Sequence, residues 1–407
     1  MAQAETSAGT PKAATGSWLS RNVLMLGLIS LLTDTASEAA IPLLPVFIVS
    51  LGAGAMALGW IEGIAEATSS ILKLVTGKVA DRVGKNRPFV VGGYSLSSAA
   101  KPLIALATAP WHVLVVRIVD RVGKGFRSSP RDALIAASVP PAQRAAAFSL
   151  HRSMDHAGAV IGPLLAAAYL YWVGSQTQDL RLLFWLTAVP GVLVILAAVF
   201  GVQELPKPAP SPKAQAAQAG QSLVRFLVPL GLFTLGNASD VFLLLKVAQG
   251  HVDLVTFPLL WVGLHIVKVA SSIPGGKLAD RIGRRRVICM GWVLYAAIYA
   301  GFAFVEDQHT TWALLAVYGL YYGLTEGPEK ALIAEIAPRD KRGAAYGWYY
   351  LTLGMLALAA SVMFGALWEY ASPMAAFLTS AALALAAVVA FAALGPPRAT
   401  TQAAASA

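Results

Sequence analysis

Apolar residues occur along the chain in long runs, which are separated by short segments rich in Gly, Pro and charged residues. A run of about 20 apolar residues is long enough for an α-helix to cross the hydrocarbon core of a membrane. The pattern predicts an all-α polytopic membrane protein with twelve spanning helices. Their centres lie near Ile29, Ser69, Ser97, Lys124, Gly158, Val192, Gly236, Ile266, Leu294, Tyr322, Leu356 and Leu383.

Composition supports the same class. Of 407 residues, 57% are hydrophobic and 13% are charged, and the mean hydropathy of +0.64 lies outside the usual range of soluble globular proteins. Residues 1–16 lack the apolar core of a signal peptide, so we expect no leader there. The single cysteine, Cys289, lies in a predicted span and permits no disulfide within the chain.

Basic residues, which give a formal net charge of +10, are concentrated in alternate loops. The basic residues after predicted spans two, eight and ten are Lys78, Arg82, Lys85 and Arg87; Lys277, Arg281, Arg284, Arg285 and Arg286; and Arg339, Lys341 and Arg342. The intervening loops, such as SLGAGAMALG and ATAP, carry almost none. Because cytoplasmic loops are enriched in Lys and Arg, this asymmetry predicts a protein of the cytoplasmic membrane with both termini in the cytoplasm. It accounts for the positive charge without a nucleic-acid partner.

Hydrophobicity collapses from Val202 to Ser222, where Pro, Ala and Gln predominate, and this composition favours an extended cytoplasmic linker. The linker divides the predicted spans six and six. The predicted organisation is a disordered cytoplasmic tail (1–18), an N-terminal six-helix half (19–201), the linker (202–221), a C-terminal six-helix half (222–395) and a second disordered cytoplasmic tail (396–407).

The two halves repeat each other. GKVADRVGKNR, which begins at Gly77, recurs as GKLADRIGRRR from Gly276, and PRDALIA from Pro130 recurs as PEKALIA from Pro328. A looser match of TASEAAIPLL with NASDVFLLLK aligns Glu38 with Asp240. Duplicated halves of this kind place a binding site near the midplane of the membrane, at their interface.

With these motifs the chain resembles the major facilitator superfamily over residues 20–395. The loop from Gly77 is similar to the loop signature of that family, and the loop from Gly276 is its copy. The resemblance implies two pseudo-symmetric halves that rock against each other, with a conformational latch at the repeated loops. The latch residues are Gly77, Asp81, Arg82, Gly84, Gly276, Asp280, Arg281 and Gly283.

Span five contains a further likeness. Gly158, Gly162 and Pro163 resemble the antiporter motif of the family, which implies export by proton antiport. The characteristic arginine of the fourth span in the family could be either Arg117 or Arg121. Close helix packing is the alternative explanation for the two glycines.

The fourth predicted span carries a stripe of five basic residues at steps of three or four, so all of them share one helix face. They are Arg117, Arg121, Lys124, Arg127 and Arg131. A cation at the centre of a span costs about 2.5–3.5 kcal/mol, so the stripe must face protein or an aqueous cavity. A cavity lined by one sign of charge attracts an anionic or zwitterionic solute. The alternative is a cytoplasmic amphipathic helix with solvated charges.

The predicted solute site combines four stripe residues with polar residues of the second half. Its members are Arg117, Arg121, Lys124, Arg127, Asn237, Asp240 and Glu326. If nearby carboxylates neutralise the stripe, a multidrug efflux pump for amphiphilic compounds is the alternative. A proton symporter that imports an organic anion is another, and a sensor or lipid flippase is a remote one.

Intramembrane acids usually mark proton or ion paths. Asp34 and Glu38 lie one helical turn apart in the first span, and Asp155 lies in the fifth. We predict that these three carboxylates couple transport to protons. The alternative is that Asp34 and Glu38 have a purely structural role as partners of the basic stripe. Under either interpretation, we expect Asp34, Glu38 and Asp155 to supply the negative charges that balance the stripe.

Other chemistries find little support. His151, Arg152, Asp155 and His156 could suggest a metal, but we expect His151 and Arg152 near the cytoplasmic end, where they could reach solvent or phosphate, so no metal site is predicted. Walker spacing is absent, and no nucleophile, base and orienting group recur together, so neither ATP-driven transport nor an enzyme is predicted. The expected partners are a small solute, protons and the lipid bilayer, with no cofactor, for a monomer.

The loop asymmetry predicts that the linker is inaccessible from outside the cell. We expect a cysteine at Ala214, in a Cys289→Ala background, to resist a membrane-impermeant maleimide added to intact cells. Thr108→Cys, in the basic-poor ATAP loop, is the control and should be labelled. Efficient labelling at Ala214 in intact cells would contradict this orientation.

Overall fold

The computed structural model of the protein describes residues 17–40, 43–52, 55–173, 177–206, 208–248 and 256–395, and most of these are helical. The predicted tail 396–407 lies outside the described residues, as does the tail 1–18 except for its last two residues.

The N-terminal half contains eight α-helices among the described residues. They are α1 (Arg21–Ala40), α2 (Leu44–Ser50), α3 (Ala55–Val83), α4 (Arg87–Ala100), α5 (Pro110–Ala137), α6 (Arg144–Val173), α7 (Thr177–Leu186) and α8 (Ala188–Leu196). A 3-10 helix, Lys101–Leu106, continues α4. Another 3-10 turn, Pro141–Gln143, precedes α6. The π-helical turn Ala197–Gly201 continues α8.

The described C-terminal half contains seven. They are α9 (Lys213–Gly236), α10 (Val241–Ala248), α11 (Thr256–Ile282), α12 (Arg284–Phe304), α13 (Gln308–Ile336), α14 (Arg342–Tyr370) and α15 (Pro373–Leu394), with a 3-10 turn at Arg339–Lys341 before α14. The first, sixth and seventh spans are each divided into two α-helices, so the helices form twelve spans. The predicted all-α, twelve-span fold is confirmed.

Four spans stand apart in composition. Judged by length and composition alone, eight helices of the described chain are long and apolar enough to cross a membrane. The helices α3, α5, α11 and α13 are not among these eight. Each of those four carries charged side chains along the span, as do α1 and α6. The four are spans two and four with their repeat counterparts, spans eight and ten. Because α3 packs on α5 and α11 packs on α13, the charged faces can be shielded from lipid by one another.

The halves meet along two helix pairs: α3 packs against α14, and α6 packs against α11. Both interfaces require small residues at the points where the helices cross. A side chain on Gly77 would place its Cβ 2.6 Å from the carbonyl carbon of Gly343, and one on Gly276 would approach the Ala145 carbonyl oxygen to 2.6 Å. These two loop-signature glycines therefore permit close contact between the halves.

The prediction of an extended linker is correct only as far as Pro212, because α9 begins at Lys213. Residues 213–219 are Ala, Gln and Lys, which favour helix, whereas the prolines before them cannot continue one. The extended part is tied to both halves: Arg87 Nε donates to the Val202 carbonyl oxygen at 2.9 Å, and Ser211 Oγ donates to Asp340 at 2.5 Å.

Candidate functional site

Charged side chains of the N-terminal half, most of them buried or half-buried, form one group, which we call the central charge cluster. Its members are Asp34, Glu38, Glu66, Lys73, Lys101, Arg117, Asp120, Arg121, Lys124 and Arg127. Arg117, Arg127 and Arg131 are buried, and Arg121 and Lys124 are half-buried. The prediction that the basic stripe faces the protein interior is therefore confirmed, and the alternative of a solvated amphipathic helix is wrong.

The close partners of the stripe come from its own helix and from α3. Arg117 Nη1 lies 3.5 Å from Asp120, and Arg121 Nε lies 3.5 Å from Glu66, which also pairs with Lys73 at 3.6 Å. The side chain of Glu66 is 49% exposed. Since a charge at this depth cannot face lipid, that exposure indicates an aqueous cavity between the halves.

The expectation that Asp34, Glu38 and Asp155 supply the counter-charges of the basic stripe is wrong at ion-pair distance. Asp155 is bonded instead to Arg152 on its own helix, and Asp34 and Glu38 interact with the basic residues only at longer range. The reason is geometric, because α3 packs directly on α5 whereas α6 packs on α1 and α11.

Lys101 belongs to this cluster, and sequence reasoning missed it. It is 7% exposed, and its ammonium donates to the Thr33 carbonyl oxygen at 3.2 Å. A lysine followed by Pro102 in the middle of the apolar third span was the signal that could have identified it. The 3-10 helix that starts at Lys101 directs this side chain toward α1.

A second set of charges joins α1, α6 and α13. The Asp34 and Asp155 carboxyl groups lie close enough to interact electrostatically, and Ser30 Oγ donates to Asp155 at 2.5 Å. Arg152 bonds Asp155 on one side and Glu326 on the other, with Nε 2.8 Å from the Glu326 carboxylate. His156 Nε2 lies 2.9 Å from the same carboxylate. This set connects the two halves through Arg152 and Glu326.

The glycines of span five bring Asp34 and Asp155 together. A Cβ on Gly158 would lie 2.9 Å from the Thr35 amide nitrogen, and one on Gly162 would lie 2.9 Å from that of Ala39. The two helix backbones are therefore in close contact, as the packing alternative predicts. Pro163 lies inside α6, and an antiport role for this motif stays a prediction.

Polar residues of the C-terminal half meet at the break between α9 and α10. Asp240 accepts hydrogen bonds from the hydroxyls of Tyr318 at 2.7 Å and Tyr322 at 2.9 Å, and it lies 3.3 Å from Lys268 Nζ. Asn237 Nδ2 donates to the Tyr321 hydroxyl at 2.9 Å. The predicted solute site is thus divided: Asn237 and Asp240 contact residues of their own half, and Glu326 contacts Arg152.

A further buried layer lies between the cluster and the repeated loops. Lys330 Nζ lies 3.1 Å from Asp132, Arg131 Nε donates to the same carboxylate at 2.9 Å, and the Tyr350 hydroxyl donates to it at 2.5 Å. Asp132 and Lys330 occupy equivalent positions of the repeat. Their contact therefore lies close to the pseudo-two-fold axis that relates the halves.

Glu329, the repeat counterpart of Arg131, contacts neutral donors. Its carboxylate accepts from Tyr349 at 3.0 Å and from Trp292 at 3.4 Å. Lys330 is therefore paired inside the bundle, whereas Glu329 has no ion pair among the described residues.

The expectation that His151 reaches solvent is wrong. Its side chain is completely buried, and neither ring nitrogen has a hydrogen-bond partner within the described residues. The described chain contains no group of three or more His, Cys, Asp or Glu side chains that could hold a metal.

Two aspartates of the repeated loops each cap a helix of the opposite half. Asp81, at the end of α3, accepts from the amides of Gly343 at 2.9 Å and Ala344 at 2.7 Å, at the start of α14. Asp280, at the end of α11, accepts from Ala145 at 3.2 Å and Ala146 at 2.9 Å, at the start of α6. A carboxylate stabilises the positive end of a helix dipole. We call this end of the bundle the motif end.

The remaining loop residues surround these caps. Gly84 and Gly283 have φ angles of 72° and 100°, which a residue with a side chain rarely adopts. Arg82 and Arg281 are exposed. Asp280 is also 3.2 Å from Arg284, so it combines an ion pair with the helix-end interaction, whereas the hydrogen bonds of Asp81 described here are to backbone amides.

Comparisons with known proteins agree with this architecture. The sequence profile of the Major Facilitator Superfamily matches residues 26–265 and 251–407. The chain is 34% identical over 377 residues to an uncharacterised MFS-type transporter of Methanocaldococcus jannaschii, covering 90% of this chain and 92% of that protein. It is 26% identical to the multidrug resistance protein MdtH of Aeromonas hydrophila, covering 85% and 87%. The crystal structure of the human organic anion transporter MFSD10 superimposes with a TM-score of 0.75 at 17% identity, covering 91% of this chain and 98% of that one.

We expect Asp81→Ala to loosen the first turn of α14, because the amides of Gly343 and Ala344 lose their acceptor. A charged helix cap contributes about 1–2 kcal/mol, so hydrogen exchange at these amides should rise roughly five- to thirty-fold. Mass spectrometry of the purified protein measures this exchange.

The control is Asp307→Ala, which removes a cap within one half: Asp307 accepts from the Thr310 amide at 2.8 Å. It should raise exchange only at the start of α13. If Asp81→Ala left exchange at Gly343 and Ala344 unchanged, the capping role would be wrong.

Proposed function

Since the chain belongs to the major facilitator superfamily and is therefore a transporter, we propose that it moves a small organic anion or zwitterion by proton-coupled alternating access. The proposed proton carriers are Asp34 and Asp155, with Glu38 beside them. The proposed solute cavity is lined by the basic residues of α5. We place the protein in the cytoplasmic membrane as a monomer with cytoplasmic termini, on the asymmetry of Lys and Arg.

The observation that carries the proposal is the proximity of Asp34 to the helix of Asp155, since a Cβ on Gly158 would lie 3.0 Å from Asp34 Cβ and the two carboxyl groups interact. Two ionised carboxylates at this distance repel each other, so a proton bound to one of them is favoured. Arg152 bonds the second of these acids and also Glu326 of the other half. Loss of the proton would therefore change the balance of charge at a contact between the halves, which is what coupling requires.

The charge balance of the cluster supports an anionic solute. Six basic side chains in the central charge cluster face four carboxylates. A low-dielectric region with a surplus of one sign attracts the opposite charge. An anion in the cavity would compensate this surplus, whereas a cation would increase it.

The contacts between the halves support alternating access. Within the described residues, hydrogen bonds that join the halves lie between the Glu326 level and the motif end. Arg144 Nη1, for example, donates to the Ala334 carbonyl oxygen at 3.1 Å. We interpret this conformation as closed at the motif end and open at the opposite end, with Asp81 and Asp280 as the latch.

Export of amphiphilic drugs by proton antiport is the second candidate. The relative that is named a multidrug resistance protein favours it, as do Gly158, Gly162 and Pro163. In that mechanism drug and proton would bind alternately.

We expect Asp34→Asn to remove a proton that can be detected directly. Asn can still donate an N–H to Asp155, so the contact survives without a transferable proton. The purified protein at neutral pH should show the infrared C=O stretch of a protonated carboxylic acid, shifted in heavy water, and the variant should lack it.

In vesicles, the same variant should lose proton-driven accumulation but retain exchange of the solute. That solute is found by comparing metabolites and drugs accumulated by cells with and without the protein. Ser30→Ala, which removes a neighbouring hydroxyl but no acid, is the matched control and should keep the coupling. Accumulation at the parental rate in Asp34→Asn would exclude this residue from the proton path.

A further inference from the structure

Arg127 differs from the other buried arginines and lysines of the central region. Arg117, Arg121, Lys73 and Arg152 each have a carboxylate within ion-pair distance. Among the described residues, Arg127 has none, and its Nε and Nη1 atoms have no hydrogen-bond partner. Only 7% of the residue is exposed. A buried guanidinium with unsatisfied donors is unfavourable in free energy unless a ligand supplies hydrogen-bond acceptors and a negative charge.

Two lysines near Arg127 also lack a carboxylate at ion-pair distance among the described residues. The Lys101 ammonium interacts electrostatically with Arg127 and Arg121. Lys124 interacts with the same two arginines. Arg127 therefore repels both lysines across a small region of low dielectric, while Asp120 attracts Lys101 and Glu66 attracts Lys124 from beyond ion-pair distance. An anion between them would turn this repulsion into attraction.

The chemistry of the three groups indicates which anions fit. The Arg127 guanidinium stacks on the Tyr94 ring, 4.2 Å from its centre, and the completely buried Tyr94 restricts the plane of the guanidinium. A fixed planar fork of N–H donors matches the paired oxygens of a carboxylate or a phosphate. The two ammonium groups add point charges that both kinds of anion can use.

Asp34 links this region to the proton. The groups that face it are Asp155 from α6, Glu38 from its own helix and Lys101 from the 3-10 helix, and it also interacts with Lys124 from α5. An ionised Asp34 competes with an anion for the two lysines, whereas a protonated Asp34 does not. By reciprocity, an anion that binds more tightly after protonation also makes protonation more favourable.

We propose that Arg127, Lys101 and Lys124 form an anion seat that holds the carboxylate or phosphate group of the solute, and that protonation of Asp34 strengthens binding there. This inference rests on the proposed function and specifies its solute class. It also predicts how protonation affects anion affinity: the proton and the anion favour each other's binding, as in a symporter. The antiport predicted from Gly158, Gly162 and Pro163 requires that the proton and the solute disfavour each other's binding.

The seat is tested on the full-length protein in nanodiscs of neutral phosphatidylcholine, with benzoate and inorganic phosphate as probes. Thermal unfolding at constant ionic strength measures their affinities, and tetraphenylphosphonium serves as the cationic probe. We expect both anions, but not the cation, to stabilise the protein. Arg127→Gln should bind the anions roughly 10- to 100-fold more weakly, as expected for the loss of charged hydrogen bonds.

Two variants guard against a general loss of structure. Arg127→Lys keeps the charge but loses the fork, so it should recover more affinity for phosphate than for benzoate. Arg285→Gln removes another arginine that lies over an aromatic ring, 5.2 Å from the centre of Phe391, and should bind as the parent does. The seat is overturned if neither anion stabilises the parent protein, or if Arg127→Gln binds both equally well.

A separate arm distinguishes a lipid headgroup from a soluble anion. Nanodiscs that contain phosphatidylglycerol should leave the affinity for benzoate unchanged if the seat takes soluble anions. If this lipid competes with benzoate in the parent but not in Arg127→Gln, the seat holds a lipid phosphate and its assignment to a solute is wrong.

The pH dependence tests the link to Asp34. Affinity of the parent for benzoate, which stays ionised between pH 6 and pH 8, should rise as the pH falls over that range. Asp34→Asn, which resembles the protonated state, should bind tightly at every pH. If both proteins showed the same pH dependence, the link would be wrong even where Asp34→Asn abolishes proton-driven accumulation. If binding follows Asp34 but accumulation does not need it, the anion seat stands and the proposed coupling fails.

Discussion

Compensation of charge in a medium that cannot solvate it is the constraint on which this structure depends. Four of its twelve spans fall outside the apolar helices, and each packs against another of these four, while further charges such as Lys101 and Asp155 lie in neighbouring spans. Where a carboxylate lies within reach, as Asp120 does for Arg117, the charge is held locally. Where the described residues offer none, as at Arg127, we propose that a bound anion supplies the compensation. Ion pairs thus form the scaffold, and the unpaired cations form the candidate binding site.

The internal repeat explains how the halves can meet without repelling each other. Equivalent residues close to a pseudo-two-fold axis contact one another, and identical charges there would be unfavourable. The second half carries Glu329 and Lys330 where the first carries Arg131 and Asp132, so the contact between Asp132 and Lys330 is attractive. Away from the axis the repeat is retained, and Asp81 and Asp280 make equivalent contacts in opposite halves.

Much of the fold could be predicted from the sequence, because span length, loop charge and duplicated motifs are local properties. The burial of the basic stripe followed from the cost of placing Arg in lipid. Its partners did not, because they depend on which helices pack together: α3 supplies Glu66 to Arg121, whereas Asp155 faces Arg152. Lys101 was missed because a single lysine in an apolar span has no periodic pattern. The proximity of Asp34 to Asp155 depends on the close approach of α6 to α1, which the spacing of Gly158 and Gly162 suggests but does not locate.

The exchange of helix caps between the halves has a consequence for biosynthesis. Asp280 follows the amide of Ala145, which it caps, by 135 positions, and Asp81 precedes the amide of Gly343 by 262. During synthesis from the N-terminus, the first turn of α6 therefore waits for α11, and the carboxylate of Asp81 waits for α14. The N-terminal half emerges from the ribosome with one helix start and one acid not yet partnered. The contacts of the motif end are complete only when the eleventh span has been inserted. Its assembly is therefore a late step that requires nearly the whole chain.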